Sequence, residues 1–264
     1  LKCPNGLLLI EHLSYLQKMI APSSSEHLME RSMTSHTVPV DPLADPAAFA
    51  AQHPGLRHAP SAARNREPIR NALADLLPER PCTVLEIASG SGEHALWMTR
   101  HLPQVTWLPS EATEEGLSAI RAWLAHCPEL GDRVWSPVCL DAERPPWRVG
   151  LVDAVFAANL THITPWSVTL GLVSGAASRL VRGGILVIYG PFNEGGGFTG
   201  PGNAAFDAVL RQQNPDWGLR DREMVDAAAV AQGFSVEAAR VMPADNRILV
   251  YRHNATGPNA PTAS

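Results

Sequence analysis

The stretch VLEIASGSGEHALWM, residues 84–98, decides the fold of this 264-residue chain. An apolar run meets a turn of small residues that contains Gly90 and Gly92, and a helical pattern of apolar residues follows. A strand, a glycine turn and a helix in this order place backbone N–H groups and a helix N-terminus at the carboxyl end of a strand. We therefore expect a pocket of the nucleotide-binding type at this turn.

Strand-like and helical segments alternate on both sides of the turn. Helices separate the predicted strands TVLEIA, VTWLPS, VWSPVCL, VDAVFAA and GILVIYG. The run 185–188 lacks polar alternation, which is typical of strands covered by helices on both faces. Two final runs, FSVEAARVM and NRILVYRH, are joined by the turn PADN, which permits only an antiparallel hairpin. The pattern predicts an α/β fold, a doubly wound, mostly parallel Rossmann-like sheet that ends in this hairpin.

Two of the predicted helices carry start signals. NREPIRNALADLLPE begins with Asn65 as N-cap and tolerates Pro68 in its first turn. PWSVTLGLVSGAASRLV has Thr164 as N-cap and Pro165 at its first position. We expect both helices to begin at these residues.

Composition narrows the classes of partner. Lys and Arg number 21 against 26 Asp and Glu, a net charge of −5, and no basic run is present, so we expect no nucleic-acid partner. The four cysteines form no pair with metal-ligand spacing, so we expect no metal, and their reduced state fits a cytoplasmic protein. No apolar run approaches the length of a membrane span, so we expect no membrane partner.

The ends of the chain differ from its middle. Residues 1–50 shift from an apolar run to a Ser/His/Pro-rich stretch, and we expect an extension that is disordered or partly helical. Residues 254–264 lack apolar periodicity, and we expect a flexible tail. Residues 51–253 are the predicted domain, and the sequence leaves its oligomeric state open.

The glycine turn favours a ligand that carries positive charge. It reads Glu86-x-Ala88-x-Gly90-x-Gly92, and Ala95 stands where a pyrophosphate-binding turn has its third glycine. A dinucleotide site needs an anion cradle, whereas this turn brings a carboxylate to the strand end. S-adenosylmethionine carries an amino group and a sulfonium, so we expect it as the cofactor, with Ala88 among its contacts.

Acids after the next two strands support this cofactor. Glu111 follows the second strand, where a carboxylate can accept from both ribose hydroxyls. Asp141 follows the third strand and is placed to accept from the adenine amino group. Three acids after three successive strands are more specific than any one of them, since a single acid there is often a helix N-cap.

Several strings resemble one family. SAARNREPI, VLEIASGSGEHA, WLPSE, ANLTHITPW, YGPF, FDAVLRQQNPDWGLRD and MPADNRILVYR are similar to the DUF938 family of class I methyltransferases, the group of methyltransferase-like protein 26. The resemblance covers about residues 57–253. It implies a seven-stranded sheet with a reversed final strand and S-adenosylmethionine as cofactor, and it supplies no substrate.

Residues after the fourth strand face the transferred methyl group in this topology. They read NLTHITPW, and His162 is the candidate base because its ordinary pKa lies near neutrality. The alternative is that Thr161 and His162 satisfy backbone groups before the helix. Asn159 is expected to orient the substrate or the cofactor.

The substrate space has candidate walls on two further segments. Tyr189, Phe192 and Asn193 begin the glycine-rich stretch 189–203, which we expect to be a mobile loop or lid. Trp166 is a pocket wall or ordinary core. In the segment that precedes the first strand, Arg64 is placed to bind the methionine carboxylate of the cofactor or an anionic substrate.

These patterns predict an S-adenosylmethionine-dependent methyltransferase with a small-molecule acceptor. The accepting atom, O, N or S, is left open. A non-catalytic regulator that binds S-adenosylmethionine, or a protein methyltransferase, remains an alternative. A dinucleotide oxidoreductase is disfavoured by the missing third glycine, and nucleic-acid methylation by the lack of an Asn/Asp-Pro-Pro-aromatic turn at 159–162.

Overall fold

A computed structural model describes residues 41–254, which form one sheet flanked by helices. The strands are β1 (Cys82–Ile87), β2 (Val105–Glu111), β3 (Val138–Cys139), β4 (Val152–Ala158), β5 (Leu180–Glu194), β6 (Gly197–Phe198), β7 (Arg220–Asp221), β8 (Phe234–Val241) and β9 (Asn246–His253). The α-helices are α1 (Pro46–Gln52), α2 (Pro60–Leu76), α3 (Glu93–His101), α4 (Glu114–Leu124), α5 (Trp166–Arg179), α6 (Asn203–Gln213) and α7 (Arg222–Ala231). A 3-10 helix spans Pro128–Arg133.

The main path of the sheet has the order β3-β2-β1-β4-β5-β9-β8. The pairs from β3 to β5 are parallel, whereas β9 is antiparallel to both β5 and β8. The short strands β6 and β7 pair with the end of β5. The predicted doubly wound sheet with a C-terminal hairpin is therefore confirmed, including its seven-stranded path.

Helices cover both faces of the sheet and create two apolar cores. One core joins α2, α3 and α4 to the sheet and contains Trp107 and Trp123. The other core joins α5 and α7 to the opposite face of the sheet and contains Val155 and the fully buried Tyr251. Because β1, β4 and β5 are buried on both faces, they show no polar alternation, as the sequence indicated.

The start of α2 was predicted wrongly. The helix begins at Pro60, not after Asn65, and Asn65 lies buried within it. Ala59 is the cap residue, and its backbone N–H donates to Glu93 Oε1 at 2.6 Å. A distant carboxylate thus satisfies the first free N–H group of the helix, and Pro68 is accommodated in the helix interior.

Two other local predictions differ from the structure. Helix α5 has Pro165 at its cap, and Thr164 does not cap it, because the Thr164 hydroxyl donates to the Leu160 carbonyl instead. The strand predicted at 134–140 shrinks to the two residues of β3, together with one bridge between Val134 and Trp107. The prolines and the 3-10 helix around this segment limit its ladder.

The folded part begins earlier than residue 51. Leu43 and Phe49 are buried in the core beneath α2 and α3, and Arg100 bonds Asp41 at 2.7 Å. Residues 41–50 are therefore part of the folded unit described here. The expectations for residues 1–40 and 255–264 lie outside the described residues. Within the described part of the chain, no helix is both long and apolar enough to cross a membrane.

Gly175 lies where α5 packs closely against Trp147. A Cβ at this position would overlap the indole of the buried Trp147. Although Ala is favoured over Gly in a helix by about 1 kcal/mol, overpacking costs about 1–3 kcal/mol. We predict that Gly175→Ala lowers the free energy of unfolding by about 1–2 kcal/mol in urea denaturation. Gly150→Ala, which meets open space, is the control; equal stability of the two variants would contradict the crowding.

Candidate functional site

A cavity of about 320 Å³ opens at the carboxyl ends of β1, β2, β3 and β4. The predicted residues Glu86, Ala88, Gly90, Glu111, Asp141 and Asn159 all line it. The segment that leads into α2 and the start of that helix form another wall, with Arg57, Ala59, Ser61 and Ala62. The three acids chosen from sequence are thus brought to one cavity.

Glu86 is the most deeply buried of the three acids, with 1% of its surface exposed. Trp107 Nε1 donates to its Oε2 at 2.9 Å, and the Ser89 side chain also bonds its carboxyl group. Burial, with a smaller contribution from the nearby Glu111 charge, raises the pKa of Glu86 to about 7 against the effect of these hydrogen bonds. The carboxyl group is therefore easily protonated near neutrality.

The glycine turn is a tight left-handed bend. Ala88, Gly90 and Gly92 have φ of 56°, 62° and 86°. Gly92 does not line the cavity, which corrects its assignment as a direct contact. It is the N-cap of α3, and a Cβ there would lie 3.1 Å from the Ile120 side chain. Its role is to let the chain turn close to α4.

Glu111 is held by backbone N–H groups on both sides. Its Oε1 accepts from Gly90 at 2.8 Å and its Oε2 accepts from Ala112 at 3.1 Å. Burial nevertheless raises the pKa of Glu111 above its ordinary value. Gly116 leaves the necessary space, because a Cβ on it would lie 2.7 Å from the Glu111 Cγ. This arrangement ties the glycine turn to the end of β2.

Asp141 stands at the exposed rim of the cavity. Its Oδ1 accepts from the Glu143 backbone at 3.0 Å, and Arg144 lies 3.5 Å from its Oδ2. The cavity wall beside it is apolar, consisting of Leu140, Ala142, Leu160, Ile163 and Val168. A flat apolar group with a polar edge fits between this wall and the carboxylate.

Asn159 comes directly after β4 and has a φ of 56°, a left-handed conformation that Asn tolerates better than most residues. Its backbone N–H donates to the Tyr189 carbonyl at 2.8 Å. This bond continues the ladder beyond the strand and fixes Asn159 at the cavity wall.

Two residues that matter here were missed from the sequence. His94, two positions after Gly92, lines the cavity, and its Nε2 lies 2.7 Å from Asn65 Oδ1. Its Nδ1 lies 3.7 Å from Glu86 Oε1. Burial lowers the pKa of His94 to about 4, so the close approach to Glu86 is not an ion pair at neutral pH. A histidine in the first helical turn after the glycines was the available signal.

Glu93 is the second missed residue, and it fastens α2 to the glycine turn. Its carboxylate accepts from Ala59 N at 2.6 Å and from the Ser91 hydroxyl at 3.0 Å, and His58 Nδ1 lies 3.2 Å away. Only 4% of Glu93 is exposed. The wall that α2 contributes to the cavity therefore depends on this carboxylate.

His162 does not face the cavity, so the structure places the predicted base elsewhere. It is 2% exposed and lies edge-on to the Phe206 ring, with ring centroids 5.6 Å apart. Burial lowers its pKa to about 3, and the Arg220 charge contributes. Within residues 41–254, its Nδ1 and the Thr161 hydroxyl have no hydrogen-bond partner, so the alternative of backbone satisfaction by these side chains is not observed either.

Arg64 and Tyr189 lie outside the cavity as well. Tyr189 is buried in the core under α2, and the Asn65 side chain bonds its hydroxyl. Burial raises the pKa of Tyr189 to about 12. Arg64 is exposed on α2, and its charge acts on Tyr189. Both predictions assumed that these side chains point toward the strand ends.

Of the remaining predicted wall residues, Phe192 and Trp166 belong to the opposite face of the sheet. Phe192 is fully buried in the core under α5 and α7, and Trp166 packs against the same core. Asn193 pairs with β6 and β7, because β5 continues through Glu194 rather than ending near Tyr189. The stretch predicted as a loop from 189 therefore begins as strand, and it does not line the cavity.

Comparison with known proteins gives a family and a fold. The family model described as "Protein of unknown function (DUF938)" matches residues 56–253, which confirms the resemblance seen in the sequence. An O-methyltransferase family protein from Burkholderia thailandensis has a TM-score of 0.59 and 19% identity, over 81% of this chain and 64% of that chain. These values indicate the same fold.

Two further structures share this fold at low identity. Human N-acetylserotonin methyltransferase in complex with SAM has a TM-score of 0.62 and 12% identity, over 74% of this chain and 53% of that one. Magnesium protoporphyrin IX methyltransferase from Synechocystis PCC 6803 with bound SAH has a TM-score of 0.57 and 13% identity, over 72% of this chain and 83% of that chain. The chain spans less than two thirds of the length of several such structures.

The buried His162 predicts a loss of stability in acid. Its folded pKa of about 3 lies below the ordinary value of 6.5, so the unfolded chain binds more protons between these values. The His162 contribution is therefore complete above pH 6.5 and is lost as pH falls toward 3. When the pH falls from 7 to 5, we predict that the free energy of unfolding of the native chain decreases by about 2 kcal/mol more than that of the His162→Gln variant.

Urea denaturation at both pH values measures this difference. If the two chains lose stability in parallel, His162 titrates alike in the folded and unfolded states and its buried, neutral assignment is wrong.

Proposed function

This chain belongs to the DUF938 family, and from that premise we propose that it is an S-adenosylmethionine-dependent methyltransferase that acts on a small molecule. One observation carries the proposal. Glu86 near the end of β1, Glu111 at the end of β2 and Asp141 just after β3 surround one cavity together with Gly90 and Asn159. Such an arrangement suits a ligand with positive charge at one end, vicinal hydroxyls in the middle and an apolar ring with a polar edge.

S-adenosylmethionine has these three parts in this order. In the proposed pose, its amino group and sulfonium lie beside Glu86 and the glycine turn, where Ala88 and Gly90 line the wall. Its ribose hydroxyls donate to Glu111, and its adenine lies against Leu160 with its amino group toward Asp141. The similarity to structures that contain SAM or SAH supports this pose.

Methyl transfer is an in-line displacement that depends mainly on position. The acceptor atom attacks the methyl carbon with a lone pair, and the carbon–sulfur bond breaks as the new bond forms. We propose that Asn159 orients the acceptor or the cofactor, because its backbone is fixed at the cavity wall. An acceptor that carries a proton releases it to solvent, because the buried His162 ring does not line the cavity.

A small-molecule acceptor is supported by the net charge of −5 and by the sequence's lack of a basic run, which disfavour a nucleic-acid acceptor. The similar structures include N-acetylserotonin and magnesium protoporphyrin IX methyltransferases, whose names state small acceptors. We therefore place the acceptor in this class and leave its accepting atom open.

A second candidate function is cofactor binding without methyl transfer. The burial of His162 favours it, because the residue expected as the base does not reach the cavity. A regulator would bind S-adenosylmethionine equally well and would transfer no methyl group to any acceptor. Protein methylation is the third outcome that the experiment below distinguishes.

Glu111→Gln is predicted to weaken S-adenosylmethionine binding by about 10- to 100-fold. The change removes the charge from an acceptor that is proposed to receive two ribose hydroxyls, and charged hydrogen bonds are worth about 1.5–3 kcal/mol. Calorimetric titration measures the affinity. Glu114→Gln, an exposed glutamate on α4 outside the cavity, is the matched control and should bind as the native chain does.

Equilibrium binding and label transfer test the function itself. We expect micromolar binding of S-adenosylmethionine and S-adenosylhomocysteine, and weaker binding of NADH. Labelled methyl groups should appear in the small-molecule fraction of an extract. Label in the protein fraction would favour protein methylation, binding without any label transfer would favour the regulator, and no binding of either adenosyl ligand to folded protein would refute the proposal.

A further inference from the structure

Glu86 and His94 form a buried pair at the wall of the cavity. His94 Nδ1 lies 3.7 Å from Glu86 Oε1, both residues line the cavity, and 1% and 7% of their surfaces are exposed. The pair is fixed from both ends, by Trp107 Nε1 at 2.9 Å from Glu86 Oε2 and by Asn65 Oδ1 at 2.7 Å from His94 Nε2.

Hydrogen-bond chemistry determines where the protons lie in this pair. An amide oxygen only accepts, so His94 carries its hydrogen on Nε2 and directs it to Asn65. The same Asn65 side chain bonds the Tyr189 hydroxyl. A neutral His94 then presents a bare Nδ1 lone pair to Glu86 Oε1. At 3.7 Å the two atoms are too far apart for a hydrogen bond, but a lone pair directed at the carboxyl group favours its neutral, protonated form over the carboxylate.

The charges around the pair come from three elements. On β2, Glu111 raises the pKa of Glu86 by its negative charge. On α2, Arg66 lowers the pKa of His94 by its positive charge. In the turn that follows β1, the Ser89 side chain bonds Glu86 and favours its charged form. Burial outweighs these hydrogen bonds, so Glu86 has a pKa of about 7 and His94 one of about 4.

We propose that His94 is a positioning residue that keeps a proton on the Glu86 carboxyl group in the unliganded protein, and that a cationic ligand in the cavity displaces this proton to solvent. The proposal rests on the proposed function, in which that ligand is S-adenosylmethionine. The exchange balances: the carboxyl O–H bond breaks, the proton leaves to buffer, and the carboxylate pairs with the cation of the ligand.

The consequence is selection by ligand charge. A cation repays the cost of ionising a buried carboxyl group, whereas a neutral adenosyl ligand leaves Glu86 protonated. S-adenosylmethionine and S-adenosylhomocysteine both carry an ammonium group, and 5′-methylthioadenosine carries neither this group nor a sulfonium. The site therefore distinguishes complete adenosyl amino acids from their neutral fragments.

Proton release on binding tests the inference on the native chain. Calorimetric titration at pH 6.5 in two buffers of different ionisation enthalpy gives the number of protons released per ligand. We predict more than about half a proton for S-adenosylmethionine and for S-adenosylhomocysteine, and almost none for 5′-methylthioadenosine. The affinity for S-adenosylmethionine should also rise about 25-fold from pH 5.5 to pH 7.5, because most Glu86 carboxyl groups no longer have to lose a proton.

Three variants test whether the proton released on binding comes from the Glu86–His94 pair. Glu86→Gln should abolish proton release. His94→Gln should reduce it strongly, since an amide nitrogen donates to Glu86 and stabilises the carboxylate before any ligand binds. Glu79→Gln changes an exposed glutamate outside the cavity and should release as many protons as the native chain.

The outcomes separate this inference from the proposed function. Binding of S-adenosylmethionine without proton release would overturn the inference alone. Equal release with 5′-methylthioadenosine would also overturn it, because Glu111, which both ligands meet, would then be the source. Failure of all three adenosyl ligands to bind the folded chain would overturn the proposed function and this inference with it.

Discussion

The site depends on one buried carboxyl group at the end of the central strand. Glu86 is the penultimate residue of β1, which lies between β2 and β4 in the sheet. The helix after β1, α3, packs on one face, and the helix after β4, α5, packs on the other. Because these helices leave in opposite directions, the strand ends are uncovered at this point and a crevice forms. The cavity and its acids follow from this topology, and Glu86 forms the floor.

Much of this arrangement is local information that the sequence carries. Strand and helix periods and the glycine turn lie within short windows, and they were sufficient for the sheet and for the hairpin. The positions of Glu86, Glu111 and Asp141 at or just after the carboxyl ends of strands were sufficient to predict the cavity, since the carboxyl ends of parallel strands meet at one edge. The long runs without polar alternation also indicated helices on both faces.

The errors have a shared cause, which is that tertiary contacts outweigh local signals. Helix α2 begins at Pro60 because Glu93, more than 30 positions away, accepts from the Ala59 N–H group. Strand β5 runs past Tyr189 because three other strands pair with it, so the following side chains turn into the two cores instead of the cavity. His162 was chosen for its ordinary pKa, whereas its burial is a property of the packed chain. No window of sequence contains these contacts.

Two residues at the cavity wall hold a left-handed backbone conformation. Ala88 and Asn159 follow the adjacent strands β1 and β4, and both adopt φ of 56° without being glycine. A left-handed conformation costs such residues about 1 kcal/mol. Two backbone hydrogen bonds hold this conformation. The Ser89 N–H group, directly after Ala88, donates to the Ser110 carbonyl at 2.8 Å, and the Asn159 N–H group donates to the Tyr189 carbonyl at 2.8 Å. These two bonds extend the ladder beyond the strands and turn the chain along the cavity wall, so the sheet itself holds the strained residues where a ligand would meet them.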